Sequence, residues 1–387
     1  MKHLAALAAC CALWGASQQA PYKDGRRLPG TFEGPGRELP EPNVAEVLIG
    51  YYGPADESHP EGGILWQGAT LAIEQANREG GYKGRPFRLV PRWSENPWRA
   101  GAALITRMAF VDRVWAIIGS IEGAGTHLAE QVVVKALLPL VNPVATDRSI
   151  HMAGVPWMFS TVQGDDLHSA VLARALRGRT IVILSATDHD SRAFCGYLKP
   201  ACGREDAKLK LQLEFEPGRP ELSELARNAS NARPDAIIVV AGARDSARLV
   251  KLLREEAFPG VIAGGPLFGR AEFAAQAGAA AAGALFPWVG DPTPAFRRLF
   301  ADRFGRQPDY AAACAYDSVR VVVAAIRGAG LNRARIRDAI AALPPYVGAS
   351  GPIEWDEFGQ NRRPPVLAMI RSGFPVVAPA RCLGTGR

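Results

Sequence analysis

The chain has 387 residues, room for two domains of ordinary size, and 48% of them are hydrophobic against 21% charged. That balance excludes disorder over most of the length, because enough apolar surface exists to offset the ordering entropy. The formal net charge of +7 comes mostly from scattered arginines, with no Lys/Arg run and no interleaved aromatics, so it describes a solvated surface and not a nucleic-acid-binding face.

The N-terminus reads as a targeting segment. Lys2 precedes a short apolar run over residues 4–14, too short to cross a bilayer as a mature helix, and residues 1–20 are expected to be a signal peptide. Leu7-Ala8-Ala9-Cys10 resembles a bacterial lipobox, which would anchor the protein through Cys10; cleavage near Ala16 or Ala20 is the simpler export reading. Residues 21–43 are rich in Pro, Gly and charge and predict a flexible linker. Of the 6 cysteines, Cys195 and Cys202 are close enough in sequence for either a disulfide or two buried thiols, and no spacing fits zinc.

From residue 44 the pattern alternates strand and helix. Residues 44–52 (VAEVLIGYY) predict a strand, and 62–79 an amphipathic helix that stops at Gly80-Gly81. Strands follow at 87–90, 115–118 and 138–141, with helices at 98–110 and 126–135 between them. The alternation resumes with helices at 165–177, 192–199, 221–231 and 245–256, and strands at 180–184, 208–215, 236–240 and 261–263. Near-continuous apolar strands between helices mean parallel sheet covered on both faces. Helices at 294–304 and 311–329 and short strands at 352–355 and 366–370 complete the chain. Two βα blocks and a helical return predict two lobes, residues 44–160 with 287–345 and residues 161–286 with 346–387. Passages between them are expected near 159–162, 286–291 and 344–354.

In parallel sheets ligands sit outside the carboxyl ends of strands, where glycines leave backbone N–H groups approachable. Gly53, Gly119 and Gly123 lie at such ends, so 120–125 and 143–147 are expected to line one wall of a cleft. Ser120, Glu122, Gly123 and Asp147 fall in those loops, and Asp188 and Asp190 would add negative charge that favours a cationic or polyhydroxy ligand. Asp190-Ser191 equally suits a helix cap. Trp66, Trp93, Trp98 and Trp157 are candidate flat walls, Trp66 foremost, although most tryptophans serve packing. His127, His168 and His189 show no metal-site spacing and read as structural or exposed, and no cofactor or metal is expected.

Taken together the segments resemble the leucine/isoleucine/valine-binding proteins of ABC importers, the type I periplasmic binding family. The resemblance covers about residues 47–370. It rests on VLIGYYGP, on GATLAIEQANREGGYKG, IIGS and LPLVNPVAT, on AYDSV at residues 315–319, and on GPIEWDEFGQ. It implies a two-lobed periplasmic-binding-protein-like I fold, each lobe a mainly parallel sheet flanked by helices, with three interlobe crossings.

The same resemblance implies an extracytoplasmic receptor that captures a small polar, amino-acid-like ligand by hinge closure and passes it to an ABC permease in the membrane. A sensor feeding a signalling partner is the alternative, and an exported enzyme a weaker one. Among the family's ligand contacts, Thr146 and the backbone of Val144 match. The serine position falls at about Gly123, leaving its N–H; a second-lobe tyrosine is replaced by Asp190, an acidic position falls near Pro266, and Glu61 stands at an aromatic contact. These departures separate the fold from the family's branched-chain ligands. The chain has no G-x-S-x-G, P-loop or G-x-G-x-x-G, and residues 1–43 read as no DNA-binding headpiece, which disfavours a repressor built on the same core.

Overall fold

A computed structural model describes residues 30–379; the signal, Cys10 and residues 21–29 lie outside the described residues. The first block runs β1 (Val47–Tyr52), α1 (Gly63–Arg78), β2 (Phe87–Arg92), α2 (Pro97–Phe110), β3 (Ile117–Gly119), α3 (Gly123–Ala136), β4 (Leu140–Asn142), the single turn α4 (Ser149–Met152) and β5 (Met158–Ser160). The second runs α5 (Asp165–Ala175), β6 (Thr180–Ala186), α6 (His189–Arg204), β7 (Lys208–Phe215), α7 (Ser223–Asn231), β8 (Ala236–Val240), α8 (Ala243–Glu255), β9 (Val261–Gly264), α9 (Ala271–Ala277) and β10 (Leu285–Trp288). The return comprises α10 (Pro294–Phe304), α11 (Tyr310–Ala329), α12 (Arg333–Ala341), β11 (Tyr346–Gly348), β12 (Gly351–Ile353), β13 (Val366–Arg371) and β14 (Phe374–Val377).

Two sheets result. The first has the order β2-β1-β3-β4-β5 with every pair parallel. The second, β14-β13-β10-β9-β8-β6-β7, is parallel except where β13 pairs antiparallel with β10 and β14. Strands β6 and β8 are apolar and buried almost throughout, as strands covered on both faces must be. The return helix α11 belongs to the first sheet's lobe, where it packs along α1. The contact is close enough that a Cβ on Gly68 would lie 2.2 Å from the Ala312 carbonyl oxygen, so only glycine fits there.

Two expectations need correction. The arm expected to be flexible over 21–43 is fastened to the first lobe from Gly30 onward. Phe32 is 1% exposed and meets Trp157 edge-on at 5.1 Å. Its N–H donates to Asp338 Oδ1 at 3.1 Å, Asn332 Nδ2 donates to the Gly36 carbonyl at 2.8 Å, and the buried Arg337 donates to the carbonyls of Gly30 and Pro156. Proline and glycine stop regular structure but do not prevent an irregular segment from docking by one aromatic anchor.

The second correction concerns the third passage. The β11–β12 hairpin stays on the first lobe, because the buried Asp317 of α11 accepts from the N–H groups of Ala349 and Ser350, both at 2.7 Å. The chain joins the second sheet only at β13. On the way, residues 359–361 run beside residues 160–161 (Asn361 N–H to Ser160 O, 3.0 Å; Asn361 Nδ2 to Thr161 O, 2.9 Å). The cysteine alternatives also resolve. Cys195 and Cys202 are buried free thiols seven residues apart on α6, about 10 Å along its axis, beyond disulfide reach.

Candidate functional site

The carboxyl ends of β1, β3 and β4 face those of β6, β8 and β9 across a cavity of about 660 Å³, within the usual range for small-molecule sites. First-lobe walls come from Glu61, Glu122 and residues 144–146, and second-lobe walls from residues 188–191, 240–245 and 265–267.

Glu122 lies just before α3, and its Oε1 is buried without a hydrogen-bond partner. Burial first, then the charges of Asp190, Glu61, Asp188 and Glu95, push its carboxyl up to about 7. Gly123 begins α3, and its N–H donates to Asp190 Oδ1 at 2.9 Å and Oδ2 at 3.0 Å. A Cβ on Gly123 would fall 2.3 Å from Asp190 Oδ1, so glycine is required for this approach. Burial raises Asp190 to about 6, against the lowering effect of the Gly123 bond. The second lobe thus places its own carboxylate on the donor at the first lobe's helix start, where positive potential favours an anion.

Asp188, not Asp190, caps α6, accepting from Ser191 N–H at 2.9 Å and Ser191 Oγ at 2.8 Å. This frees Asp190 to cross the cleft. Val144 and Thr146 line the cleft, but the Val144 N–H is already held by Asn142 Oδ1 at 3.1 Å, and the Thr146 hydroxyl bonds the buried Asp165. Ser120 does not line it: it is fully buried, and its Oγ accepts from the Glu122 N–H at 3.1 Å. Trp66 packs on Tyr51 at 5.0 Å, Trp93 on Tyr52 at 5.4 Å and Trp157 on Phe32, while Trp98, 66% exposed, stands at the cleft. Tryptophan position along a helix does not reveal which face meets a second lobe.

Asp147 lies behind the cleft wall and is 2% exposed. Its Oδ2 meets His127 Nε2 at 3.0 Å and His189 Nε2 at 2.8 Å, and its Oδ1 accepts from Ser149 N–H at 2.8 Å and Oγ at 2.7 Å. Burial opposes ionisation of Asp147, but these bonds outweigh it and hold the carboxyl far below its usual range. The bond to Asp147, followed by that to Glu130, raises His127 to about 9. His127 and His189, whose sequence spacing showed no shared site, converge with Asp147 between them.

Other functional residues escaped sequence reasoning. Glu272 lines the cleft six residues beyond Pro266, and burial and Glu61 push its carboxyl up. Arg270 ties the lobes together: it is 5% exposed, bonds Asp309 Oδ2 at 3.0 Å and reaches the Glu61 carbonyl at 2.6 Å. A buried arginine between two lobes carries no local sequence signature. Glu61, Glu95, Glu122, Asp190 and Glu272 face Arg244 and the already paired Arg270, so the lining is predominantly acidic.

Two α/β lobes joined by side-by-side passages, with a ligand-sized cleft between strand ends, define a two-lobed binding protein. The chain belongs to the periplasmic binding protein family, whose model matches residues 49–374. A relative described as an amino acid binding protein of Pseudomonas aeruginosa is 22% identical over 332 residues, covering 82% of this chain and 87% of that protein. The leucine-binding protein LivK of Thermotoga maritima superposes with a TM-score of 0.79 at 22% identity, over 86% of this chain and 98% of that one. The branched-chain amino acid substrate-binding protein LivJ of Streptococcus pneumoniae, solved with isoleucine, gives 0.78 at 21%, over 86% of this chain and all of that one. At these identities the structural likeness concerns the fold.

Proposed function

We propose that this chain is an extracytoplasmic solute-binding protein of an ABC importer that captures a small amino-acid-like ligand carrying a positive charge. The family and the amino-acid-binding relative from Pseudomonas aeruginosa support the receptor role. One observation carries the ligand's charge: Glu122 Oε1 is buried in the acidic cleft without a partner. An ammonium or guanidinium beside it would supply the missing donor and relieve the mutual repulsion of Glu122, Asp190 and Glu61. Asp190 on the Gly123 N–H supports the same reading, since a ligand carboxylate would have to displace it. No nucleic acid enters this role; the partners are the ligand and a membrane permease.

Closure follows from contacts made only when the lobes meet. Moving a 1:99 balance to 99:1 takes roughly 5.5 kcal/mol of differential binding, within reach of a few charge-assisted bonds at about 1.5–3 kcal/mol each. Calorimetric titration with lysine, arginine, agmatine, putrescine, leucine and benzoate tests the proposal. Saturable one-to-one binding of a cationic compound without turnover supports it. Tight binding of leucine or benzoate with none of the cations refutes the charge assignment, and chemical conversion of a bound compound refutes the receptor.

A further inference from the structure

We propose that His127, Asp147 and His189 form a zinc-class transition-metal site that fastens the second lobe to the first beside the cleft. The ligand atoms of the three side chains lie within 4.8 Å of one another. His127 sits on α3 and Asp147 after β4, both in the first lobe, while His189 opens α6 in the second. Two imidazoles and one carboxylate suit a borderline divalent ion, with a fourth position left for water.

The geometry already converges. Both histidines present Nε2 to the same oxygen, Asp147 Oδ2, and their rings meet edge-on with centroids 5.2 Å apart. Ligand atoms around tetrahedral zinc stand about 3.4 Å apart at bond lengths near 2.1 Å. The present separations of 3.0 and 2.8 Å need to widen by only about half an ångström to admit the ion.

The outer contacts orient the ligands. Ser149 fixes Asp147 through Oδ1 and leaves Oδ2 to the histidines. Glu130 Oε2 stands 3.4 Å from His127 Nδ1, the carboxylate–histidine arrangement that fixes a tautomer for metal binding. Glu130 is 4% exposed, and its Oε1 is buried without a partner. His189 is 36% exposed and provides the entry side.

The test needs no cleft ligand, so its outcome is separate from that of the receptor proposal. Full-length protein stripped with chelator is titrated with zinc chloride by calorimetry, and with cobalt(II), whose visible absorption intensifies on tetrahedral coordination. We expect one equivalent bound with micromolar or tighter affinity, a more compact scattering profile, and at least a hundredfold loss in His189→Ala. His189 is partly exposed, so this variant should keep the parent's circular dichroism; Asp147→Asn supplies a second, nearly isosteric loss. His59→Ala, at a histidine outside the cluster, should bind as the parent does. Zinc uptake that is unchanged in both His189→Ala and Asp147→Asn, or no saturable uptake by the parent below about 100 µM, overturns the proposal and leaves the cluster as a proton-mediated salt bridge.

Discussion

Asp190 of the second lobe rests its carboxylate on the Gly123 N–H of the first, at 2.9 and 3.0 Å. A side chain of the protein thereby occupies the N–H that the resemblance left for a ligand, and the lobes gain a direct tie. Gly123→Ala would set a methyl 2.3 Å from Asp190 Oδ1 and force the two apart. The expected result is a larger radius of gyration by small-angle scattering and at least tenfold weaker ligand affinity, with unchanged circular dichroism. A scattering profile identical to the parent's would show that the tie does not hold the lobes.

Glu122 sets the pH dependence of cation capture. Its carboxyl is raised to about 7 by burial and by Asp190, Glu61, Asp188 and Glu95, so it is largely protonated at pH 6 and largely ionised at pH 8. Affinity for a permanently charged guanidinium ligand should therefore rise through this range. In the ligand-free protein the sign reverses: a carboxyl with a raised folded-state value favours folding at low pH and loses that contribution as pH climbs through about 7. Glu122→Gln should flatten the affinity profile and reduce cation affinity at pH 8 by tenfold or more, measured by calorimetry at both pH values.

The buried Arg270–Asp309 pair spans the lobes, and removing one partner strands the other. Arg270→Ala should cost about 3–5 kcal/mol in chemical denaturation. Arg270→Met combined with Asp309→Asn should lose less, because no uncompensated charge remains and an acceptor still caps Ala311 and Ala312, whose N–H groups bond Asp309 Oδ1 at 2.9 and 3.2 Å.

The docked arm depends on Phe32. Truncating a buried phenylalanine costs about 3–5 kcal/mol, and the remaining ties of the arm are partly exposed polar ones such as Arg37–Asp338, Tyr82–Glu41 and Arg85–Asn43. Phe32→Ala should expose residues 30–43 to limited proteolysis while the lobes remain resistant; a parent-like digestion pattern would place the anchor elsewhere.

Much of the fold was legible because apolar strands and amphipathic helices write their period into the chain. The runs over β6 and β8 and the stripe along α1 needed no partner to be recognised. Short elements such as β5, with three residues, and α12, with the fully buried Arg337 on one face, were not, since their burial is conferred by neighbours remote in sequence. Of the site, the strand-end loops were readable from their glycines. The roles of Ser120 and Trp66 were not, because an identical side chain caps, packs or binds according to what faces it.

The sequence alone therefore determined the alternation of strands and helices, and with it two parallel sheets whose ends can bind a solute. Tertiary structure alone decided which groups meet across the gap: Asp190 with Gly123, His189 with Asp147, Arg270 with Asp309. Periodicity is a local property fixed by backbone geometry. The facing of two lobes depends on contacts dozens or hundreds of residues apart, and these leave no spacing in the chain.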